Sequence, residues 1–449
     1  MLPNEFTSRM KELLGDGYEE FICSFDESPV RSFRINTKKI SESEFEKINP
    51  FGGEKISYAE GAYYFNYDGI GNHPYHHAGM VYIQDPAAMS PVASVNIEPD
   101  WKILDLCAAP GGKSTQAAAG LDGGLLVSNE IVPSRCKILT GNIERLGIKN
   151  AVTTCADVKR LSGLFGEEFD LVIVDAPCSG EGMFRKDETA INEWSLQNVK
   201  LCAERQDEIL SYAKDFVNEG GYLLYSTCTY SPEENEMCID RFLSENKNFE
   251  LIEVNESVKK ATADGIFFDG CKTENISFCR RFYPHISKGE GQFIALLKKT
   301  DTSCISIKRE NALEKIPKAD EKIVFDFLDS TLIDYDKKCV RKYKENIVYF
   351  EPDFIVPKGV AFSCGVTIGS VQKNYIQPHH QFFMAMGKQF RRQIELTCDE
   401  AESYLRGNTI PCECENGWAT VLVNGCTLGG VKVVNSTAKN HYPKGLRKN

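Results

Sequence analysis

The chain has 449 residues, 42% of them hydrophobic, and a formal net charge of −12 at pH 7. Length and apolar content leave room for two to four domains with ordinary buried cores and exclude a disordered polypeptide. The acidic balance excludes coating of nucleic acid by bulk electrostatics, so any RNA contact must come from basic groups gathered locally.

The N-terminal residues are mixed polar and charged, without the basic start and apolar core of a signal peptide. No later apolar run approaches membrane-spanning length, so a soluble, cytoplasmic protein is expected. The stretch to about Gly79 mixes short apolar segments with turns, reads as a small α+β accessory domain, and carries a basic patch over Arg31 to Lys39 expected to form a solvated strand. From Trp101 the pattern becomes apolar strands alternating with helical stretches: KILDL, a helix after Gly112, LLVSN, a helix around Ser134 to Leu146, AVTTC and DLVIVDAP. That alternation predicts an α/β fold with a mainly parallel, Rossmann-like sheet wrapped by helices. A helix over Leu196 to Asn218 is expected to stop at Gly220-Gly221, followed by the strand YLLYSTCT, a helix from near Pro232 and a closing strand QFIALLKK. Beyond Thr300 come a charged segment and a glycine-dotted, strand-rich end that reads as a separate module. After Glu415 there is no acidic residue, while Lys432, Lys439, Lys444, Arg447 and Lys448 gather, which suits either a frayed solvated tail or an RNA-contacting surface. The seventeen cysteines are scattered and read as free thiols; Cys412 and Cys414 lack a second pair with metal-finger spacing, so no metal is expected.

DLCAAPGGKS sits where the first strand of the sheet hands over to its helix, the position at which open α/β sheets bind ligands. Gly112-Lys113-Ser114 imitates the end of a phosphate-binding loop, but the earlier glycine that loop requires is replaced by Cys107. Acids recur instead at successive strand ends: Asp105, Glu130, Asp157 and Asp175. Such carboxylates suit a neutral-to-cationic nucleoside and not a polyphosphate, with Glu130 placed for ribose hydroxyls and Asp157 for an adenine amino group. Each acid alone also reads as a helix cap.

DAPCSGEGMFRK follows the fourth strand and STCTYSPEENE the fifth, so Cys178 and Cys228 are expected at one edge of the sheet near the same cleft. Either cysteine alone reads as a core thiol, but two at adjacent strand ends beside a cofactor loop point to nucleophilic chemistry.

In family order, RINTKK, DLCAAPGGKS, NEIVPSR, DLVIVDAPCSGEG, LLYSTCTYSPEENE and RRFYPHISKGEGQFIALLKK resemble the Nol/Nop/Sun family of RNA cytosine-5 methyltransferases, in particular its bacterial RsmF-like branch. The blocks run from Arg34 to Lys299. The resemblance implies an S-adenosylmethionine site formed by Cys107, Ala108, Ala109, Pro110, Gly111, Gly112, Lys113, Glu130, Asp157 and Asp175. It also implies Cys228 as nucleophile and Cys178 as the cysteine assisting product release. Residue chemistry alone leaves that assignment open, because a Pro-Cys pair like Pro177-Cys178 is what DNA cytosine-5 methyltransferases use for attack. Asp175 would hydrogen-bond the cytosine edge, and Arg34, Asn36, Lys186, Arg280, Arg281 and His285 are candidate RNA contacts. The implied division is residues 1–85 as an RNA-binding accessory domain and 86–300 as the methyltransferase domain. Residues 301–375 follow as an intermediate segment and 376–449 as a PUA-like RNA-binding module. The implied substrate is 16S rRNA or the small ribosomal subunit; a tRNA cytosine-5 methyltransferase and a non-catalytic RNA-binding assembly factor are the competing readings.

Overall fold

The structure, a computed structural model, describes residues 2–300 and 306–448. Residues 301–305, where the charged segment begins, lie outside the described residues.

Five parallel strands form the centre: β1 (Lys102–Asp105), β2 (Leu125–Asn129), β3 (Ala151–Thr154), β4 (Phe169–Asp175) and β5 (Val217–Thr227), in spatial order β3-β2-β1-β4-β5. Leu171, Val172, Ile173 and Val174 of β4 are all fully buried. Val172 and Val174 belong to the core on one face, with Leu104 and Val127, and Leu171 and Ile173 to the core on the other, with Ile103 and Leu126. The period-two alternation of a strand thus feeds two cores, which is why the run reads as continuously apolar. β6 (Gln292–Lys299) pairs antiparallel with β5 but does not end the sheet, since Arg280–Phe282 and Phe249–Ile252 pair antiparallel along its other side. The chain moves outward from β1 to β3 and restarts at β4 on β1's other flank, so the crevice at the carboxyl ends of β1 and β4 is the topological switch point.

The helix that opens at Leu196 ends at Ala213, before Gly220-Gly221, because Phe216 and Val217 are drawn into the core. The two glycines lie inside β5, where the pairing with β4 shifts register between Phe169 and Leu171 and Gly220 takes a φ of +72°. The following helix starts at Glu236.

The N-terminal region packs two helices, Asn4–Leu14 and Tyr18–Cys23, and a three-stranded antiparallel sheet with Arg31–Ile35 at its centre. The expectation of a solvated basic strand is overturned: as the middle strand it is covered, and Arg34, Asn36 and Lys39 are buried.

The C-terminal region is folded onto the rest at two places. The strand Ala361–Cys364 adds to the edge of the central sheet beside β3, and Phe350, Phe354, Val356 and Val360 lie in the same core as Val172 and Phe169. Further on, a five-stranded sheet contains Gln393–Leu396, Gly417–Val423, Cys426–Val434, Thr437–Asn440 and Ile410–Pro411. It shares one apolar core with the N-terminal sheet, Phe33, Ile35 and Tyr63 clustering with Val421, Leu428 and Val431. Asn424 Nδ2 donates to Tyr75 Oη at 2.6 Å and Lys39 Nζ donates to Ala78 O at 2.7 Å within this seam. The basic end is not frayed: the Lys448 amide donates to Leu405 O, and Lys432 lies over the Trp418 ring at 5.4 Å.

Candidate active site

Parallel pairing sets Asp175 of β4 opposite Ser226 of β5. Cys178, three residues beyond Asp175, and Cys228, two beyond Ser226, therefore leave the sheet at one edge, and their sulfurs lie 3.3 Å apart. The thiol of Cys178 is pushed well up from its ordinary value, first by its hydrogen bond with Cys228 and then by burial. Asp175 accepts from Ser226 Oγ at 2.8 Å, and its other oxygen is 2.8 Å from Lys113 Nζ. One carboxylate thus ties together β4, β5 and the helix that follows β1.

That helix, Gly112–Gly120, starts from Gly111 at φ +110°, a left-handed geometry that favours glycine. A Cβ on Gly112 would sit 3.3 Å from the Gln84 side chain, so the loop approaches the N-terminal region closely. Beside it opens a cavity of about 240 Å³ lined by Asp105, Cys107, Ala108, Ala109, Pro110, Gly112, Lys113 and Asp175, and by Tyr82 to Asp85 opposite. Asp105 is fully buried; Ser114 Oγ donates to one of its oxygens at 2.6 Å, and the other has no partner among the described residues. Desolvation pushes this carboxyl up to about 7.

Glu130 and Asp157 close β2 and the turn after β3, outside the residues that line this cavity. Glu130 is buried, accepting from the Val132 amide at 3.0 Å with Arg135 3.3 Å from its other oxygen. Asp157 is exposed and caps the helix Val158–Ser162 through the Arg160 amide at 2.7 Å.

The candidate RNA contacts separate. Lys186 is exposed beside the cavity, paired to Asp85 and 3.6 Å from Glu290. Arg34 is buried behind the loop that opens the Gly112–Gly120 helix, where its guanidinium donates to Gln84 Oε1 at 2.9 Å, to Gly112 O at 3.1 Å and to Thr115 Oγ1. Asn36 donates to Gly79 O and Leu146 O, both at 2.9 Å. Arg281 is buried in an ion pair with Glu236, and Arg280 is bound by Asp264 and Thr262. These four are buried and hydrogen-bonded within the protein, unlike the exposed Lys186. His285 is half-buried against Phe21, ring centroids 5.6 Å apart. Reading the sequence missed the wall formed by Tyr82 to Asp85, since the accessory region gave no ligand motif there; it also missed the Lys113–Asp175 pair, although both residues lie in recognised motifs.

Full-length relatives settle the family. Ribosomal RNA small subunit methyltransferase F of Vibrio campbellii is 31% identical over 99% of this chain and 97% of its own length. The chain belongs to the 16S rRNA methyltransferase RsmB/F family. The protein of the same name from Klebsiella pneumoniae is also 31% identical, over 99% of this chain and 96% of its own. The family model for 16S rRNA methyltransferase RsmB/F matches residues 92–298. That for the N-terminal domain of 16S rRNA methyltransferase RsmF matches 2–86, and that for the methyltransferase RsmF PUA domain matches 391–448. Among solved structures, a methyltransferase homolog protein from Pyrococcus horikoshii superposes with a TM-score of 0.58 at 27% identity, covering 66% of this chain and 95% of that one. NSun6 from Pyrococcus horikoshii, solved with SFG, shares the fold at a TM-score of 0.55 and 21% identity, covering 67% of this chain and 98% of that one. The Rossmann-like core with its N-terminal domain and PUA-like C-terminal sheet is thus a shared architecture.

Proposed function

We propose that this chain is an S-adenosylmethionine-dependent methyltransferase that forms 5-methylcytosine in small-subunit rRNA through a covalent adduct on Cys228. The observation that carries the reading is the pair of thiols at 3.3 Å, held at the carboxyl edge of β4 and β5 beside the switch-point cavity.

The cavity suits the cosubstrate on its donor set. Its charged lining is Asp85, Asp105 and Asp175 against Lys113, an acidic balance that suits a cation, and Asp105 presents a buried oxygen without a partner among the described residues. Cys107 to Lys113 would hold its methionine part. Glu130 would take the ribose hydroxyls, with Arg135 displaced from its outer oxygen, and Asp157 the adenine amino group. When bound, S-adenosylmethionine supplies the methyl group that carbon 5 of cytosine accepts.

Carbon 5 becomes nucleophilic only after conjugation is broken by a thiolate adding to carbon 6. The family resemblance gives attack to Cys228 and release to Cys178, whose sulfur lies 3.3 Å away. As the carbon 6–sulfur bond forms, charge moves toward the ring nitrogen, and Asp175, paired with Lys113, would hydrogen-bond that edge of the base. After carbon 5 is alkylated its proton leaves, the electron pair re-forms the ring double bond, and the carbon 6–sulfur bond breaks. A base must take that proton, and Cys178, 3.3 Å from the departing sulfur, can give its own proton to the Cys228 thiolate as the bond breaks. The target base must be unpaired or turned out of its stack. Lys186, exposed beside the cavity, would meet the RNA backbone.

The test uses an rRNA transcript. Cys228→Ala is expected to bind RNA without methylating it or crosslinking to it, whereas Cys178→Ala accumulates a protein–RNA species that survives denaturing electrophoresis and requires Cys228. A 5-fluorocytidine substrate traps the wild type in the same way. An active Cys228→Ala with an attack-deficient Cys178→Ala would reverse the two roles; full activity in both would end the covalent mechanism.

A further inference from the structure

Behind the thiols lies a hydrogen-bond network that the scheme above does not use, built on two adjacent residues, Glu234 and Asn235, both fully buried. The Glu234 carboxylate accepts from the Ser179 amide at 2.9 Å, from Ser179 Oγ at 2.5 Å and from Gln206 Nε2 at 3.0 Å. The same Gln206 amide donates to Pro177 O at 3.0 Å. Both neighbours of Cys178 in the chain are therefore held by Glu234, one directly and one through Gln206. Asn235 does the same for Cys228: its Oδ1 accepts from Thr227 Oγ1 at 2.7 Å, and its Nδ2 donates to Thr229 O at 2.9 Å. The two halves are joined where Ser179 Oγ and Thr229 Oγ1 meet at 2.9 Å. Since the Ser179 hydroxyl donates to Glu234, it accepts from Thr229.

We infer that Glu234 and Asn235 are the positioning residues of the two-cysteine site, Glu234 fixing the loop of the release cysteine and Asn235 the loop of the attacking one. This rests on the covalent reading above. Neither residue touches substrate. Each acts through the residues on either side of one cysteine, so the two contributions fall on different covalent steps. Glu234 lies close enough to Cys178 to add to the rise of its thiol, in keeping with that division.

The experiment uses the full-length protein and two substitutions of nearly unchanged volume. Glu234→Gln leaves one oxygen for three donors, and Asn235→Asp keeps the acceptor for Thr227 but loses the donor to Thr229 O. In single turnover on an rRNA transcript, Glu234→Gln is expected to form the adduct within about twofold of the wild-type rate and to resolve it at least about tenfold more slowly. Asn235→Asp is expected to slow formation by at least about tenfold without accumulating adduct, since sub-ångström misplacement of a reacting group costs at least an order of magnitude. Equal slowing of both steps in both variants, in proportion to lost thermal stability, or no change in either step, would overturn the inference. A second measurement needs no RNA: capture of phenylarsine oxide across Cys178 and Cys228, mapped by mass spectrometry, reads the sulfur spacing itself. If the wild type forms no adduct, the methylation scheme fails. Capture that is efficient in the wild type and about tenfold lower in both variants would still support the positioning role, and equal capture in all three would refute it.

Discussion

Truncating the side chain of Phe354 tests whether the segment after Thr300 belongs to the catalytic core. The ring is 8% exposed and packs against Phe165 and Phe169, with centroids 6.0 and 6.4 Å away, while the Arg309 guanidinium lies 4.6 Å above it. Arg309 in turn clasps Glu168 with contacts of 2.5 and 2.9 Å and donates to Ile355 O. Phe→Ala in such a site costs about 3–5 kcal/mol in lost burial and cavity, and the aromatic and cation–π contacts are worth a further ~1 kcal/mol. Against a typical total of about 5–15 kcal/mol, that is a large fraction. Urea unfolding followed together with S-adenosylmethionine binding is the assay: Phe354→Ala is expected to lower the midpoint of the main transition and to lose binding in step with it. By the same reasoning, a chain ending at residue 300 should not fold, because it also lacks the edge strand Ala361–Cys364. An early separate transition for Phe354→Ala, with the rest unfolding as in the wild type, would show that the extension is an independent module and refute the argument.

Arg34→Met is expected to cost about 2–4 kcal/mol by stranding Gln84 Oε1 and Gly112 O, and to leave the salt dependence of RNA binding unchanged; a shallower salt slope without loss of stability would mark Arg34 as an RNA contact. Gly182→Ala places a Cβ 2.7 Å from Gly291 Cα and 2.8 Å from Cys228 O, backbone atoms that cannot swing aside, so methylation should fall about 100-fold in single-turnover assays with cofactor affinity retained. Burial pushes the Lys39 ammonium down to about 7 from 10.5, so between those values the unfolded chain binds more protons and stability rises with pH. Lys39→Met should abolish that rise, read as the wild-type-minus-variant difference in unfolding free energy between pH 7 and 10.

Strands were legible wherever one period ruled a stretch: DLVIVDAP and QFIALLKK read as strands because alternate residues enter two cores. Motifs at strand ends were legible for a related reason, since parallel topology carries every such loop to one edge; that is how Cys178 and Cys228 could be placed together. What stayed hidden depended on partners far along the chain. Arg31 to Lys39 looks like a solvated patch because nothing local reveals that Gly112, Thr115 and Leu146 wait as acceptors. Gly220-Gly221 looks like a helix stop because a register shift inside a strand has no local signature. The four acids were readable as a set, but only the packing separates Asp105, sealed in with a lone oxygen, from Asp157, exposed at a cap.

The seam between the first and last sheets sets a schedule for synthesis. Lys39 Nζ and Thr427 Oγ1 are 3.5 Å apart and 388 positions distant in sequence. At roughly 5–20 residues per second, the ribosome needs on the order of 20–80 s to deliver the second partner after the first. Through that interval the Phe33 and Tyr63 side of the N-terminal sheet has no Val421 or Leu428 to close over it. A nascent enzyme of this shape therefore leaves a sticky face open until the sheet over residues 393–440 emerges, and its yield in the cell should respond to chaperone supply more than its final stability suggests.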